Sequence, residues 1–420
     1  MKPFLVVTLI FCTVISAHTQ TWEQVGGDIN GHVISLQTYN DKLMVGGSYT
    51  SVGGNTSYLL SEWNGSIYSD YNTILIGGSD ISDMAVYDGK LLCAGNLYVN
   101  AFYGPGFVME WNGSTFEGDE YYINSNIYYI DVNGSTFYIS GYFTEYAGTI
   151  FNHVAFWNGS EYESISEGFD YGPGGFIIFN DELVVGGGPD DLGISKFDGL
   201  YWSQLGDNAP AGGRLAIYKD ELYAVNALTE PARYITKWNG SEWVDVGGSL
   251  TGGGNGARAL LVVGEYLYVG GDFTGAGGVE CKNVARWDGE NWSAVGDGTF
   301  GNFVSDLEYY KGSLYAATFD VSGENHLLKY NGVISSVEDI KSEIVLDIFP
   351  NPVANTLNIT IDNTATESEI IIRNIYGQII YNGNGYAGNN TVNFENYAPG
   401  YYQICVRSGN NEVYDAFIKK

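Results

Sequence analysis

Residues 259–295 read ALLVVGEYLYVGGDFTGAGGVECKNVARWDGENWSAV, and this stretch is one complete unit of a repeat that decides the fold. It holds four short hydrophobic segments separated by a Gly-Glu turn, a long Gly-rich loop and an Asp-Gly turn. Asp-Gly and Asn-Gly predict type I′ hairpin turns, because both central residues of such a turn need positive φ. The stretch therefore predicts four antiparallel strands: A at 259–263, B at 266–269, C at 283–287 and D at 292–295.

Two anchors of this unit recur seven times along the chain, in phase with each other. The first is an aromatic residue followed by Asn or Asp and then Gly, with successive copies 40 to 49 residues apart. The aromatic residues of this anchor are Trp63, Trp111, Trp157, Phe197, Trp238, Trp287 and Tyr330. The second anchor is strand B, whose copies begin at Leu43, Leu91, Phe137, Leu183, Leu222, Leu267 and Leu314. Such a period, made of strands, is typical of the blades of a β-propeller.

The two ends of the repeat region predict how it closes. Residues 22–26 (WEQVG) copy the strand D pattern of 243–247 (WVDVG), although they precede the first strand A. The last unit has only the short segment 333–337 after its Asn-Gly turn. We therefore predict that residues 22–25 pair with 327–330 as the outer strand of the last blade, because an open ring would leave strand edges unpaired.

The order of elements in each unit resembles that of kelch-type β-propellers. Strand A, a short turn, a strand ending in Gly-Gly, a long loop, a strand ending in an aromatic residue and a strand opening with Trp follow one another over about residues 22–337. The diglycine is present in units 1, 4 and 6, single in units 2 and 3, and absent from units 5 and 7. The resemblance implies an all-β fold in which residues 21–337 form a seven-bladed β-propeller.

Residues 1–20 have the pattern of a signal peptide. Lys2 precedes an apolar run over 4–15, and Ser16 and Ala17 supply small residues for cleavage. The run is shorter than the roughly 20 residues that a membrane-spanning helix needs. A buried first strand is the alternative, but the terminal position favours a signal peptide. We therefore predict an exported chain without a transmembrane segment.

The last part of the chain, residues 344–420, no longer follows the repeat and is preceded by a predicted linker at 338–343. Its alternating segments, such as 357–361, predict a small antiparallel β-sandwich.

This tail resembles the C-terminal sorting domain of proteins exported by the type IX secretion system of Bacteroidota. The residues that carry the resemblance are Pro350, Asn351, Pro352, Gly377, Gly400, Tyr402 and Lys419. The resemblance implies that the secretion machinery is the partner of the tail. It also implies that the tail is usually cleaved and that the remainder is attached to the cell surface or released. An ordinary accessory β domain is the alternative.

The charge of the chain restricts its partners. The sequence has 18 basic and 49 acidic residues, a net charge of −31, and 13 of the basic and 42 of the acidic residues lie within 21–343. Binding to nucleic acid or to an anionic membrane requires clustered Lys and Arg, so both partners are excluded. Cations, neutral glycans and basic proteins remain as ligand classes for the repeat region.

The sequence carries none of the common catalytic motifs. The sequence has no metalloprotease helix, no nucleophile elbow, no phosphate-binding loop and no paired Cys-x-x-Cys. We therefore expect no catalytic residue, no metal site and no cofactor. Carboxylates are abundant, and a glycosidase needs two of them about 5–9 Å apart across a pocket, which sequence spacing does not report.

Aromatic residues on the loops after strand B are the candidate binding residues. Tyr49, Phe143 and Phe273 each stand in a Gly-x-aromatic-Thr segment. They could stack on sugars or peptides, but their recurrence at one position of the unit favours packing between blades.

Three functions remain open at this point. The leading hypothesis is a secreted or cell-surface propeller that acts as a binding module for a glycan or a protein. The alternative is a secreted carbohydrate-active enzyme that uses carboxylates at the propeller axis. A structural surface protein is the third, and it predicts that no pocket is present.

Overall fold

The computed structural model describes residues 20–70, 77–98, 107–111, 116–118, 123–134, 136–187, 192–211, 213–225, 235–254, 256–299, 303–319, 325–332, 334, 345–362, 368–374, 377–408 and 411–420. The predicted signal peptide, apart from Gln20, and the linker at 338–343 lie outside these ranges. All regular elements within them are β-strands. Among these residues there is no helix of the length and apolarity needed to cross a membrane.

Seven antiparallel sheets follow one another along the chain, and we number them in that order; each has four main strands, and the seventh carries two further short ones. Sheet 1 contains β2 (His32–Tyr39), β3 (Lys42–Ser48), β6 (Leu60–Trp63) and β7 (Tyr68–Asp70). Sheet 2 contains β8 (Gly77–Tyr87), β9 (Lys90–Tyr98), β10 (Phe107–Trp111) and β11 (Phe116–Gly118). Sheet 3 contains β12 (Ile127–Asn133), β13 (Thr136–Gly141), β16 (Val154–Trp157) and β17 (Tyr162–Ser164). Sheet 4 contains β18 (Phe176–Phe179), β19 (Glu182–Val185), β20 (Ser195–Phe197) and β21 (Trp202–Gln204).

The remaining sheets follow the same order of pairing. Sheet 5 contains β22 (Leu215–Tyr218), β23 (Glu221–Val225), β24 (Ile235–Trp238) and β25 (Trp243–Asp245). Sheet 6 contains β27 (Gly256–Val263), β28 (Tyr266–Asp272), β31 (Val284–Trp287) and β32 (Trp292–Ala294). Sheet 7 contains β33 (Phe303–Tyr310), β34 (Ser313–Phe319), β35 (Asn325–Tyr330) and the N-terminal strand β1 (Trp22–Ile29). Within the described residues, the predicted strands of the sixth unit thus match the observed ones to within a few positions.

The loops between the second and third strands carry small additional strands. They are β4 (Ser51–Val52) with β5 (Asn55–Thr56), β14 (Glu145–Tyr146) with β15 (Thr149–Ile150), and β29 (Gly275–Ala276) with β30 (Val279–Glu280). β4 also pairs with β1, and β29 pairs with β26 (Leu250–Thr251), which lies just before the first strand of sheet 6. These loops lie at the end of the sheets where the first strand enters. We call this the loop end and the opposite one, with the hairpin turns, the turn end.

The two kinds of hairpin turn differ in conformation, which corrects one prediction. The Asn-Gly and Asp-Gly turns between the third and fourth strands, at 64–65, 158–159, 198–199, 239–240 and 288–289, are not type I′, because only the glycine has positive φ, as at Gly65 (102°). The Asn64 side-chain oxygen instead accepts the backbone N–H groups of Ser66 and Ile67, and the other described turns of this kind repeat that arrangement. Two successive positive φ values occur in the first hairpin turn of a sheet, as at Asn180 and Asp181.

The N-terminal strand closes the repeat region. β1 pairs antiparallel with β35, with Trp22 opposite Tyr330 and Val25 opposite Leu327, which confirms the predicted pairing. The first strands of the seven sheets, which we call the inner strands, also contact one another in chain order, and β33 of sheet 7 contacts β2 of sheet 1. Neighbouring sheets bury apolar clusters between them, so the core is divided into layers around a closed cycle.

The tail folds into two further antiparallel sheets over one apolar core. The first contains β36 (Val345–Phe349), β37 (Thr356–Asp362) and β40 (Gly388–Asn393). The second contains β39 (Ile379–Gly385), β38 (Ser368–Asn374), β41 (Gly400–Ser408) and β42 (Asn411–Lys419). Ile359, Ile372, Phe394 and Phe417 are fully buried between the two sheets.

Candidate functional site

The first and last motifs of the tail meet at one edge of its second sheet. Val353 and Lys419 form a parallel bridge, although 66 positions separate them. The backbone N–H of Val353 donates to the Ile418 carbonyl at 2.7 Å, and the N–H of Lys420 donates to the Val353 carbonyl at 3.0 Å. The Asn351 side-chain oxygen accepts the N–H of Ile418 at 3.0 Å. Pro350, Asn351 and Pro352 are exposed here, whereas the Lys419 side chain is largely buried.

The central motifs of the tail divide between its core and its surface. Tyr402 is buried, stacks on Phe417 with ring centroids 5.7 Å apart, and donates its hydroxyl to the Ala398 carbonyl at 2.8 Å. Gly400 is exposed at the start of β41, and Gly377 is buried in the turn before β39. The motif residue Tyr376 lies outside the described ranges. The predicted secretion residues therefore form an exposed edge, a core aromatic and a covered turn.

The three loop aromatics named as candidate binding residues are buried. Tyr49, Phe143 and Phe273 are 2%, 1% and 0% exposed. Each packs in the apolar cluster beneath its loop, and the Tyr49 hydroxyl donates to the Val45 carbonyl at 2.5 Å. A ring buried to this extent has no face for a ligand, so the packing interpretation describes these positions.

The neighbour of one of these residues is exposed instead. Tyr142 precedes Phe143 and is 56% exposed at the loop end, where its ring stands perpendicular to that of Tyr128 with ring centroids 5.2 Å apart. The Asn126 amide lies 3.5 Å from the Tyr128 hydroxyl, and the Asn96 amide donates to the Asn126 side-chain oxygen at 3.1 Å. Sheets 2 and 3 thus present an oriented aromatic ring beside two amides.

Carboxylates on the inner strands bond the backbone of the next sheet. The Asp306 carboxylate in sheet 7 accepts the N–H of Leu36 in sheet 1 at 2.8 Å, and Asp131 in sheet 3 accepts the N–H of Phe176 in sheet 4 at 2.9 Å. The inner strands have a free edge, where unpaired N–H groups need acceptors. These side chains therefore satisfy that edge and fasten neighbouring sheets together.

Two more inner-strand carboxylates make the same kind of contact. Asp83 in sheet 2 accepts the N–H of Ile130 in sheet 3 at 3.3 Å, and Glu308 in sheet 7 accepts the N–H of Thr38 in sheet 1 at 3.0 Å. Catalytic motifs did not reveal these residues. Aligning the seven first strands could have done so, because charged residues interrupt otherwise apolar segments.

The Arg214 guanidinium lies among these carboxylates. Arg214, just before the inner strand of sheet 5, contacts the Asp83 carboxylate of sheet 2 at 3.1 Å and lies over the Tyr129 ring at 5.2 Å. Sheets 2 and 5 are not adjacent in the cycle, so this ion pair crosses its centre. Burial lowers the pKa of Arg214, but Asp83 and Asp306 raise it more, so the net shift is upward.

Burial raises the pKa of three of these carboxyl groups. Burial raises the pKa of Asp131 to about 7, with Asp83 adding to the shift and Arg214 opposing it. Burial also raises the pKa of Asp306 to about 6 and that of Glu308 to about 7. Protonation of these groups near neutral pH is therefore coupled to folding.

The pH dependence of stability tests this coupling. A carboxyl group with a raised pKa binds its proton more tightly in the folded state, so its contribution to stability is complete below pH 4 and is lost as pH rises to about 7. Asp131→Asn keeps an acceptor for Phe176 and removes the titration. We expect the fall in free energy of unfolding between pH 4 and 7 to shrink by about 2–4 kcal/mol.

Urea unfolding at a series of pH values measures this difference. Asp245→Asn, on the exposed side of the outer strand β25, is the matched control and should keep the wild-type pH dependence. If the free energy of unfolding changed equally with pH in the wild type and in Asp131→Asn, the raised pKa of Asp131 would be contradicted.

Within the part of the chain that the structure describes, no group of three or more His, Cys, Asp or Glu side chains is placed to hold a metal ion. Cys93 and Cys281 are buried and form no disulfide. Burial raises the pKa of the Cys281 thiol to about 11, which makes it a poor nucleophile.

Comparison with known proteins assigns the tail. Residues 347–420 match the family model of the secretion system C-terminal sorting domain. No curated protein matches the chain.

Solved structures resemble the chain only weakly. PorZ of Porphyromonas gingivalis, described as an essential surface component of the type IX secretion system, is 13% identical with a TM-score of 0.46, and the match covers 94% of this chain and 60% of PorZ. The computationally designed protein Ika8 is 10% identical with a TM-score of 0.43, over 94% of this chain and all of Ika8. GH43B of a xyloglucan locus in Bacteroides ovatus is 9% identical with a TM-score of 0.28, over 94% and 92% of the two chains.

The sorting domain determines where the protein goes. Domains of this family mark proteins that the type IX secretion system exports and that are then released or attached to the cell surface. The tail is thus a sorting domain, and it sends this chain to the cell surface or the medium.

Proposed function

We propose that residues 21–337 form a seven-bladed, kelch-like β-propeller that acts as a binding module at the cell surface or in the medium. The tail at 344–420 is a β-sandwich that delivers it, after a linker at 338–343. The closed cycle of inner strands and the pairing of β1 with β35 support the propeller. Each four-stranded sheet corresponds to one blade.

The observation that favours binding over catalysis is that the inner-strand carboxylates already have hydrogen-bond partners within the protein. Asp83, Asp131, Asp306 and Glu308 each accept a backbone N–H of the neighbouring sheet, and Asp83 also pairs with Arg214. A glycosidase needs one carboxylate free to attack or to activate water and a second free to give its proton to the leaving group. These carboxylates fasten blades together, which favours the binding module over the carbohydrate-active enzyme.

The exposed ring of Tyr142 at the loop end is the proposed contact for the ligand. A tyrosine offers a large amphipathic face at a low entropic cost, and its ring is already oriented by Tyr128. The amides of Asn96 and Asn126 beside it can donate to and accept from hydroxyl groups. An aromatic face with adjacent amides suits a neutral glycan, which is also compatible with the acidic surface.

A glycan array probed with the purified chain tests this proposal. We expect binding above background, and we expect Tyr142→Ala to weaken the affinity for the best glycan at least tenfold, about 1.4 kcal/mol. Tyr201→Ala is the matched control, because Tyr201 is 71% exposed at the turn end of sheet 4 and should not affect binding. An array without binding, or equal affinity of Tyr142→Ala and wild type, would overturn it.

A further inference from the structure

The sorting domain packs on the turn end of sheets 3 and 4. The Arg373 guanidinium contacts the Asp181 carboxylate at 2.7 Å through one nitrogen and at 3.1 Å through another. Only 11% of the Arg373 side chain is exposed, so this ion pair is partly removed from water. Asp181 lies in the first hairpin turn of sheet 4, and Arg373 lies near the end of β38.

The turn that holds Gly377 and Gln378 is part of this contact. The Gln378 amide donates to the Asp198 carbonyl, in the second hairpin turn of sheet 4, at 2.5 Å. A Cβ on Gly377 would lie 3.0 Å from the Ile178 Cδ1 and 3.3 Å from the Asp181 carbonyl oxygen. The propeller region therefore covers a motif on which the resemblance to sorting domains rests.

The neighbouring strand of the tail extends the contact to sheets 2 and 3. A Cβ on Gly134 would overlap the Gln403 side chain, and a Cβ on Gly159 would lie 3.2 Å from the Tyr401 ring. Burial and the adjacent Tyr401 raise the pKa of Tyr87, at the end of β8. Three successive sheets thus contact the β38–β39 turn and β41.

The chemistry of this contact is that of an interface that can open. Polar side chains, among them Asn133, Asn374 and Gln403, line a small cavity between the two parts. Interfaces between domains of one chain are commonly polar and resemble transient protein–protein interfaces. The contact is specific, through its ion pair and the close approach at Gly377, but it is not a continuous apolar core.

We propose that this contact is a closed state of the chain, in which the propeller region shields the turn at Gly377 and Gln378 and β41 of the sorting domain from the secretion machinery. The inference rests on the export role of the tail. Export then requires the Arg373–Asp181 pair to open, and the docked form delays recognition. The shielded face fits a partner that offers a carboxylate to Arg373 and a backbone carbonyl to Gln378.

Reversing one charge on the propeller side tests the proposal without altering the sorting domain. Asp181→Arg places two cations together, and we expect at least tenfold faster amide exchange in residues 377–380. In a host with the type IX system, pulse-labelled Asp181→Arg should reach the surface with a half-time at least twofold shorter than that of the wild type. Asp181→Arg combined with Arg373→Asp should restore slow exchange.

The control variant is Asp41→Arg. Asp41 has the same position and nearly the same φ (62° against 63°) in the first hairpin turn of sheet 1, so backbone strain and net charge change equally. It should match the wild type in exchange and export. Unchanged exchange in Asp181→Arg would show that the face is not docked, and faster exchange without faster export would show that docking does not shield it. A chain lacking 347–420 that still reaches the surface would instead contradict the export role itself.

Discussion

Replacing Trp22 with alanine should lower the free energy of unfolding by about 3–5 kcal/mol, the usual cost of removing a large buried aromatic side chain. Trp22 is 3% exposed and packs on Tyr330 with ring centroids 5.3 Å apart. Its indole N–H donates to the Val295 carbonyl of sheet 6 at 2.8 Å. The substitution thus removes apolar contacts and also leaves a buried carbonyl unpaired.

The same contact recurs between earlier sheets, which explains why this position matters. Trp292 of sheet 6 donates to the Val246 carbonyl of sheet 5, and Trp243 of sheet 5 donates to the Leu205 carbonyl of sheet 4. Trp22 makes the corresponding contact between sheet 7 and sheet 6, although it lies at the N-terminal end of the repeat region. Its loss should therefore open the junction between the chain ends.

Urea unfolding followed by far-ultraviolet circular dichroism measures the overall loss, and amide exchange in β35 reports the junction. Trp22→Phe is the matched control, because it keeps an aromatic ring and loses the indole hydrogen bond, and should cost about 1 kcal/mol. Residues 327 and 328, which pair with β1, should exchange faster in Trp22→Ala. A loss below 1 kcal/mol with unchanged exchange in β35 would mean that β1 does not hold the cycle closed.

The pairing of β1 with β35 was predictable because its signals are local and repeated. Turn residues and the Trp that opens the outer strand act within a few positions, so seven copies fix the period and show which strand is missing from the last unit. The conformation of the Asn-Gly turns was not predictable to the same degree. The same dipeptide suits both a type I′ turn and a side-chain cap such as that of Asn64.

Tyr142 and Phe143 show why the sequence does not reveal which loop aromatic is exposed. Side chains alternate between faces along a strand, and polar residues normally mark the outer face. In β13, which leads into this loop, every residue is buried, so alternation gives no sign of which ring faces water. A shift of one position reverses every side chain.

The inner-strand charges and the tail edge depend on contacts between distant segments. Asp83 and Arg214 lie in different sheets, and Asn351 meets Ile418 only after the tail has folded. Motif searches compare residues within short windows, so neither pairing leaves a local signal. The Asp83–Arg214 pair forms only because the fold brings sheets 2 and 5 together.

Replacing Arg214 with alanine should cost about 3–5 kcal/mol, because removing one partner of a buried ion pair leaves the other charge uncompensated. The Asp83 side chain is 5% exposed, and the hydroxyl of Ser35 and the N–H groups of Met84 and Ile130 do not neutralise it. Lys196→Ala is the control, since its ion pair with Glu182 is about one-third exposed on both sides and should contribute less than 1 kcal/mol.

The destabilisation should depend on pH and on the partner. At pH 5 the loss in Arg214→Ala should be smaller than at pH 8, because protons can neutralise Asp131 and Asp306, whose pKa values burial raises to about 7 and about 6. Adding Asp83→Asn to Arg214→Ala should recover most of the loss at pH 8, since the amide oxygen still accepts the N–H of Ile130 and no charge remains to be compensated. A loss in Arg214→Ala that is independent of pH and unchanged by Asp83→Asn would mean that Arg214 stabilises the cycle through packing, such as its contact with the Tyr129 ring, and not through charge.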